Sequence, residues 1–139
     1  MARTRFVAEV LTPEGEVFNG EIEMLSTRTT VGSIGLLANH EPLLARLEPA
    51  ELRLYRSETD IVRFAQAEGY VQMSENRALV LVEEAIDPAL LNAAELQERV
   101  AAATRAAEAA PPGTEETARA VRDRRRAEAF LAIAGGRHQ

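Results

Sequence analysis

Residues 32–55 read GSIGLLANHEPLLARLEPAELRLY. Two glycines, one of the chain's two histidines and a His-x-Pro crowd into its first eleven residues. A further break, at Pro49, then leads into the alternating Glu51-Leu52-Arg53-Leu54-Tyr55. Alternation with period two is the signature of a half-buried strand, and Gly and Pro punctuate such strands. A catalytic loop and the turn of a binding module both begin this way, so the flanking sequence has to separate them.

On either side the same grammar holds from residue 4 to residue 84. Phe6, Ala8 and Val10 alternate with Arg5 and Glu9 ahead of a turn at Thr12-Pro13-Glu14-Gly15. Ile22 and Met24 alternate with Glu21 and Glu23. Apolar stretches follow at Ile61–Ala65, Tyr70–Met73 and Ala78–Val82. Breaks at Gly20, Gly32, Gly35, Pro42, Pro49, Gly69 and Glu75-Asn76 keep every segment short, which predicts an antiparallel β-sandwich or flattened barrel. Past Asp87-Pro88 the period changes to that of a helix. Asn92-Ala-Ala-Glu95 reads as a capping box, and Ala93, Leu96, Val100, Ala103 and Ala107 share one helical face. Pro111-Pro112-Gly113 ends that helix, and Thr114-Glu115-Glu116 starts a second that runs to Gly135-Gly136. Ala120, Ala127, Phe130, Leu131 and Ala134 form its apolar side. The fold class expected is α+β: an N-terminal antiparallel β-sandwich over 1–86 and a C-terminal α-helical hairpin over 87–139. Alanine side chains bury little area each, so the hairpin is expected to dock weakly and to be mobile.

Composition narrows the chemistry. The 139 residues carry a net charge of −6, contain no cysteine, and have an aromatic content of 4%. Disulfides and thiolate metal sites are therefore excluded, and stacking platforms for bases are poorly supplied. With His40 and His138 as the only histidines, a His-rich metal centre is not expected. MARTRFVAEV lacks the apolar core of a signal peptide, and no run reaches the length of a spanning helix, so direct membrane insertion is not expected. All of the net charge lies in residues 1–85, with 8 Arg against 14 acids; residues 86–139 hold 8 of each. Arg119, Arg122, Arg124, Arg125 and Arg126 nevertheless form a local basic cluster. Its two open readings are a solvated helix face and a surface for an acidic protein. Nucleic acid fits poorly, because the acidic remainder would repel phosphate.

No reaction is visible in these residues. Ser26, Ser33, Ser57 and Ser74 lack a nucleophile-elbow context, and His40 is the only non-terminal base. Glu83, Glu84 and Asp87 read as a solvated strand end and linker. Gly32-x-x-Gly35 is too short to cradle a phosphate and reads as a pair of turn glycines. His40 either pins its own loop or touches a subunit interface.

The order of residues in 32–55 resembles the G-x-x-G-x-x-x-x-H-x-P-x-x-x-x-L-x-P-x-x-L-x-I/L pattern of the epsilon subunits of F-type ATP synthases. Gly32, Gly35, His40, Pro42, Leu47, Pro49, Leu52 and Leu54 carry it. Val10–Phe18 is similar to the family's first hairpin, Gly69-Tyr70-Val71 to its G-G-F-V strand, and Leu79–Ala85 to its last long strand. The resemblance implies a ten-stranded sandwich followed by two helices. It implies a non-catalytic rotor subunit of the central stalk that couples c-ring rotation to ATP synthesis. The implied partners are the gamma subunit, the c-ring and the alpha and beta subunits. The implied location is the cytoplasmic face of the bacterial plasma membrane, within a peripheral complex. Gly32, Ser33, Gly35, His40 and Pro42 would then shape a surface loop facing gamma and the c-ring. Arg119, Arg122, Arg124, Arg125 and Arg126 would meet acidic segments of beta and restrain ATP hydrolysis.

Three departures stand out. Ser33 occupies a position that is often acidic in the family. Asn39 and Glu68 stand where glycines are usual, and Asn is the milder change because it tolerates left-handed backbone. In the nucleotide motif of some members only Arg99 fits on the first helix, while Leu96, Glu95 and Val100 depart; on the second helix Arg126 fits and Phe130 does not. Arg99 and Arg126 are therefore the only ATP-binding candidates, and no cofactor is expected. The rival readings are a free-standing nucleotide-binding β-sandwich with a helical lid and, third, a cupin-like enzyme.

Overall fold

The structure, a computed structural model, describes residues 3–136; Arg137 and His138 lie outside them. Ten strands form, β1 (Phe6–Thr12), β2 (Gly15–Ile22), β3 (Met24–Thr29), β4 (Gly32–Leu37), β5 (Leu43–Leu47), β6 (Ala50–Tyr55), β7 (Ile61–Gln66), β8 (Gly69–Ser74), β9 (Arg77–Val82) and β10 (Ala85–Ile86). One hydrogen-bonded path runs β10-β7-β6-β3-β5-β8-β9-β1-β2, and β4 adds to the other edge of β3. The path folds where Thr29 pairs with Leu47, so that β4-β3-β6-β7-β10 and β5-β8-β9-β1-β2 form the two layers of a sandwich. All pairings are antiparallel except β1 with β9, which run parallel from Val7/Arg77 to Leu11/Leu81. That one parallel pairing departs from the purely antiparallel expectation. It brings the first strand beside the last long one, so that β1 is paired on both edges.

The core lies between the layers. Phe6, Ala8, Val10, Val71, Met73, Val80 and Val82 enter from one side, and Leu25, Leu36, Leu52 and Leu54 from the other. Their alternation is the one the sequence shows, since side chains of successive strand residues leave opposite faces.

The alternation misleads at three places. Ile22 and Met24 do not share a strand. β2 ends at Ile22 and β3 starts at Met24, with the inward phase shifting to Leu25, Thr27 and Thr29. Glu23, at the break, is only 6% exposed, and its N–H donates to the Tyr55 carbonyl at 2.7 Å. Glu51, read as outward, is 3% exposed and lies between the guanidiniums of Arg53 and Arg63. Two cations make that burial tolerable, because a lone buried carboxylate is very costly. Burial by itself lowers the Arg53 pKa, but hydrogen bonds to Glu51 and Tyr55 outweigh it and the value is raised. Gly35 is the third: it lies within β4, and only Gly32, with φ +130°, serves the Thr30-Val31 turn. Uncharged and flanked by apolar Ile34 and Leu36, Gly35 continues the β3 ladder opposite Ser26.

Two close-packed features hold the sandwich. Gln66, fully buried, accepts from the Thr27 hydroxyl and donates to the carbonyls of Glu48 (2.9 Å) and Ala67 (2.9 Å). Gly69, opposite Val82, has the backbone of β9 directly over its Cα.

The chain divides into two compact units, one through Asp87 and one from Pro88. In the second, α1 (Ala93–Ala109) and α2 (Glu115–Ala134) pack on each other. Asn92 accepts from the Glu95 N–H, and Thr114 from the Thr117 N–H, which satisfies the orphan donors at each start as the sequence predicts. Leu96 and Ala103 are buried on α1, and Ala120, Ala127, Phe130 and Ile133 on α2. Leu131 and Ala134, expected on the apolar side, are only half-buried, and Ile133, which the sequence reading left out, is buried.

Candidate functional site: the β4–β5 end of the sandwich and the basic helix

The sequence singled out Gly32, Ser33, Gly35, His40 and Pro42. The structure sets the first three along β4 and the last two in the connection to β5 (residues 38–42). Ser33, Gly35, His40 and Pro42 are exposed. The His40 N–H donates to the Leu37 carbonyl at 3.2 Å, closing a turn. Asn39 takes φ +66°, a conformation that Asn adopts readily among non-glycine residues. Its N–H donates to the Asn76 side-chain oxygen at 2.6 Å, which ties this connection to the β8–β9 turn, where Glu75 and Asn76 also have positive φ. His40 Nδ1 lies 2.8 Å from the Glu41 carbonyl. A carbonyl only accepts, so Nδ1 carries the proton and Nε2 is the atom turned to other use. The loop is thus braced from two sides and presents His40 and Pro42 outward.

Asn76→Gly keeps the left-handed backbone and removes only the brace. Its expected effect is a loss of about 1 kcal/mol with faster amide exchange at Asn39, while core amides on β9 stay protected. Unchanged exchange at Asn39 would show that the bond does not hold the loop.

Sequence reasoning missed the neighbouring surface. Leu44 (70% exposed), Tyr70 (50%) and Leu81 (45%) are large apolar side chains on the outer face of β5, β8 and β9. Tyr70 pairs with Leu81, and Leu81 with Leu11, so an apolar row crosses the layer. Beside it lies a groove of about 330 Å³ lined by Leu11, Pro13, Tyr70 and Leu81, with Glu68 and Glu83 at its margin. A signal was present in the sequence. Ala78–Val82 is a continuous apolar run, which strands show when both faces are covered.

The five arginines of α2 do not form one stripe. Arg119, Arg122 and Arg126, at i, i+3 and i+7, share a face; Arg125 flanks it, and Arg124 points elsewhere, 3.4 Å from Glu128. Arg122 lies 2.9 Å from Glu115, whose carboxyl is held below its usual range by that hydrogen bond and charge. Arg119, Arg122 and Arg125 are exposed, and Arg124 and Arg126 half-buried. Arg99 is exposed on α1. Among the described residues no group of three or more His, Cys, Asp or Glu is arranged to hold a metal.

A family described as "ATP synthase, Delta/Epsilon chain, beta-sandwich domain" matches residues 5–88. The chain belongs to this family. Among delta/epsilon relatives, the ATP synthase epsilon chain of Persephonella marina is 42% identical over 77 residues, 55% of this chain and 57% of that one. The epsilon chain of Rubrobacter xylanophilus is 28% identical over 114 residues, 82% of this chain and 77% of its own. Across several epsilon chains the match spans little more than half their length. The fold is shared with a chain in the structure of Euglena gracilis mitochondrial ATP synthase, OSCP/F1/c-ring in rotational state 1. There the TM-score is 0.78 at 15% identity, covering 92% of this chain and 80% of that one. The sandwich of the delta/epsilon family and a following helix pair are thus what the sequence led one to expect. Among the described residues no helix is long and apolar enough to cross a membrane.

Proposed function

We propose that this chain is a non-catalytic central-stalk subunit of a proton-translocating F-type ATP synthase, working at the cytoplasmic face of the bacterial membrane within the peripheral part of that complex. In this role it binds the gamma subunit and the c-ring through the sandwich, and couples ring rotation to ATP synthesis. The single observation that carries the reading is the combination, in a family member, of a braced, outward-facing Asn39–Pro42 loop with exposed Leu44, Tyr70 and Leu81 on the outer face of the layer that β5 enters from that loop. Large exposed apolar side chains on a layer that also carries a fixed polar loop are the anatomy of a protein interface. Gly32, Ser33, Gly35, His40 and Pro42 form the gamma and c-ring side of that interface.

In the same reading α2 restrains ATP hydrolysis by placing Arg119, Arg122, Arg125 and Arg126 against acidic segments of the beta subunits. Opposite charges there steer docking more than they add affinity. Arg122 must exchange Glu115 for that partner, so the two contacts compete.

The test is ATP hydrolysis by the catalytic head with gamma, with the full chain and with a truncation ending at Asp87. The cut falls there because Ile86 still pairs with Ala65 in β10. Both forms are expected to bind gamma, and only the full chain to slow hydrolysis. Binding without slowing removes the brake, and failure of both forms to bind removes the stalk role.

A further inference from the structure

The ten-stranded sheet ends on three strands, and they are guarded unequally. β10 is two residues long. β2 carries Glu16 and Glu21 and lies opposite a register break at Val10/Leu11. Short length, charge and bulges are the usual devices that keep an edge from pairing with other chains. β4, Gly32–Leu37, has none of them: six uncharged residues, paired on one side to β3 in unbroken register.

The register also tells which backbone groups are turned outward. On β3, the Arg28 carbonyl accepts from the Glu48 N–H and the Thr30 N–H donates to the Arg46 carbonyl, both on the side away from β4. Even-numbered residues of β3 thus point their backbone away from β4. Their partners on β4, which are Ser33, Gly35 and Leu37, point theirs to the free edge. Ser33 and Gly35 offer both N–H and C=O there. Leu37 offers its N–H, since its carbonyl already accepts from His40.

Gly35 adds an independent observation. Its φ is not positive, and a Cβ built on it meets nothing within 4 Å. Neither backbone conformation nor internal packing calls for glycine, yet glycine in a strand costs stability relative to a β-branched residue. Strand side chains leave the faces of a sheet, so the bare Cα of Gly35 keeps the outer face of β4 clear beside the free edge, where another backbone can come close.

We infer that the free edge of β4 accepts an extended, uncharged strand of the gamma subunit, hydrogen-bonded to Ser33, Gly35 and Leu37. The site deepens and rests on the stalk reading above. β4 runs directly into the Asn39–Pro42 loop, so the added strand is continuous with the interface proposed there. Main-chain hydrogen bonds give such strand addition its affinity, and the bare outer face at Gly35 leaves room for the part of gamma that follows the strand to lie against β4.

The test is residue-resolved amide exchange on the full chain, with and without purified gamma, joined to two variants. With gamma bound, the amides of Ser33, Gly35 and Leu37 are expected to slow, while those of Ile34 and Leu36, already paired to β3, change little. Gly35→Val is expected to raise the melting temperature of the free chain, because valine favours strands and has open space, and to weaken gamma binding about tenfold, near 1.4 kcal/mol. Ser33→Pro, which removes one outward N–H and none from the β3 ladder, is expected to weaken binding while leaving the far-ultraviolet spectrum unchanged. Gamma binding without slowing of those three amides, or Gly35→Val binding as well as the original, overturns the strand addition and leaves the stalk reading standing. Slowing that appears in the chain alone as its concentration rises makes a second copy the occupant and overturns gamma. No binding of gamma by the unaltered chain overturns the stalk reading and this inference with it.

Discussion

Gly69→Ala is expected to unfold the sandwich or leave it barely stable. An added Cβ would sit 1.9 Å from the Leu81 carbonyl oxygen, 2.7 Å from Val82 Cα and 2.9 Å from the Leu81 carbonyl carbon. All three are backbone atoms of β9, so no side-chain rotation relieves the clash. β8 is held between β5 and β9, and moving it away from either breaks a ladder that includes Leu47–Gly69 and Gly69–Val82. Inserting even one methyl into a packed interior usually costs about 1–3 kcal/mol. Here the obstacle is main chain, and about 4 kcal/mol or more is expected. For a unit of this size that corresponds to a fall in melting temperature of about 15–30 °C. The chain has no tryptophan, and its two tyrosines, Tyr55 and Tyr70, are both in the sandwich. Tyrosine fluorescence therefore reports this unit, while circular dichroism at 222 nm is dominated by the helices. A melting temperature within a few degrees of the original would show that β8 and β9 can part without loss.

Gln66→Leu is the second large effect. The side chain is fully buried and all its hydrogen-bonding partners are protein atoms: the Thr27 hydroxyl and the carbonyls of Glu48 and Ala67. Leucine fills the space but leaves those three groups without this partner, each at about 1–3 kcal/mol when buried and unsatisfied. A net loss of about 3 kcal/mol is expected, which lowers the urea midpoint by about 2 M if the slope is near 1.5 kcal/mol/M. Adding Thr27→Val removes one of the stranded groups, so the double variant is expected to recover about 1 kcal/mol relative to Gln66→Leu alone. Strict additivity of the two losses would mean that the hydroxyl and the amide do not depend on each other.

Both positions show why only part of the fold was legible in the sequence. Periodicity is a local quantity, and where one face of a strand met the core, as at Phe6-Ala8-Val10, it located strand and inward face together. Helix starts were legible for the same reason, since Asn92 and Thr114 satisfy donors only three residues away. Gln66 and Glu51 could not be read that way. Their burial depends on Thr27, Glu48 and Arg63, which are brought together by strand pairing that no short window contains. The slip between Ile22 and Met24 is a corner between strands and looks in sequence like uninterrupted alternation.

The candidate site divides similarly. The glycine-to-proline stretch was legible as a presented loop because its residues are sequential. The Asn76 brace and the Leu44–Tyr70–Leu81 surface were not, because they join β5, β8 and β9. Gly35 was read as a turn residue on composition alone, and its place within β4 is what gives it significance.

The parallel pairing of β1 with β9 has a consequence for how the protein is made. As the chain emerges from the ribosome, β1 can pair with β2 at once, but Val7 to Leu11 must wait for Arg77 to Leu81 before their second edge is covered. Pairings between distant segments are slow to form, and unpaired strand edges invite aggregation in the interval. Every residue from β2 to β8 is synthesised during that wait. The helical unit, whose two elements are neighbours in sequence, emerges only after β9 and has no such delay. A nascent chain stalled before β9 would therefore expose the open flank of β1, while one stalled a little later would already have closed its sandwich.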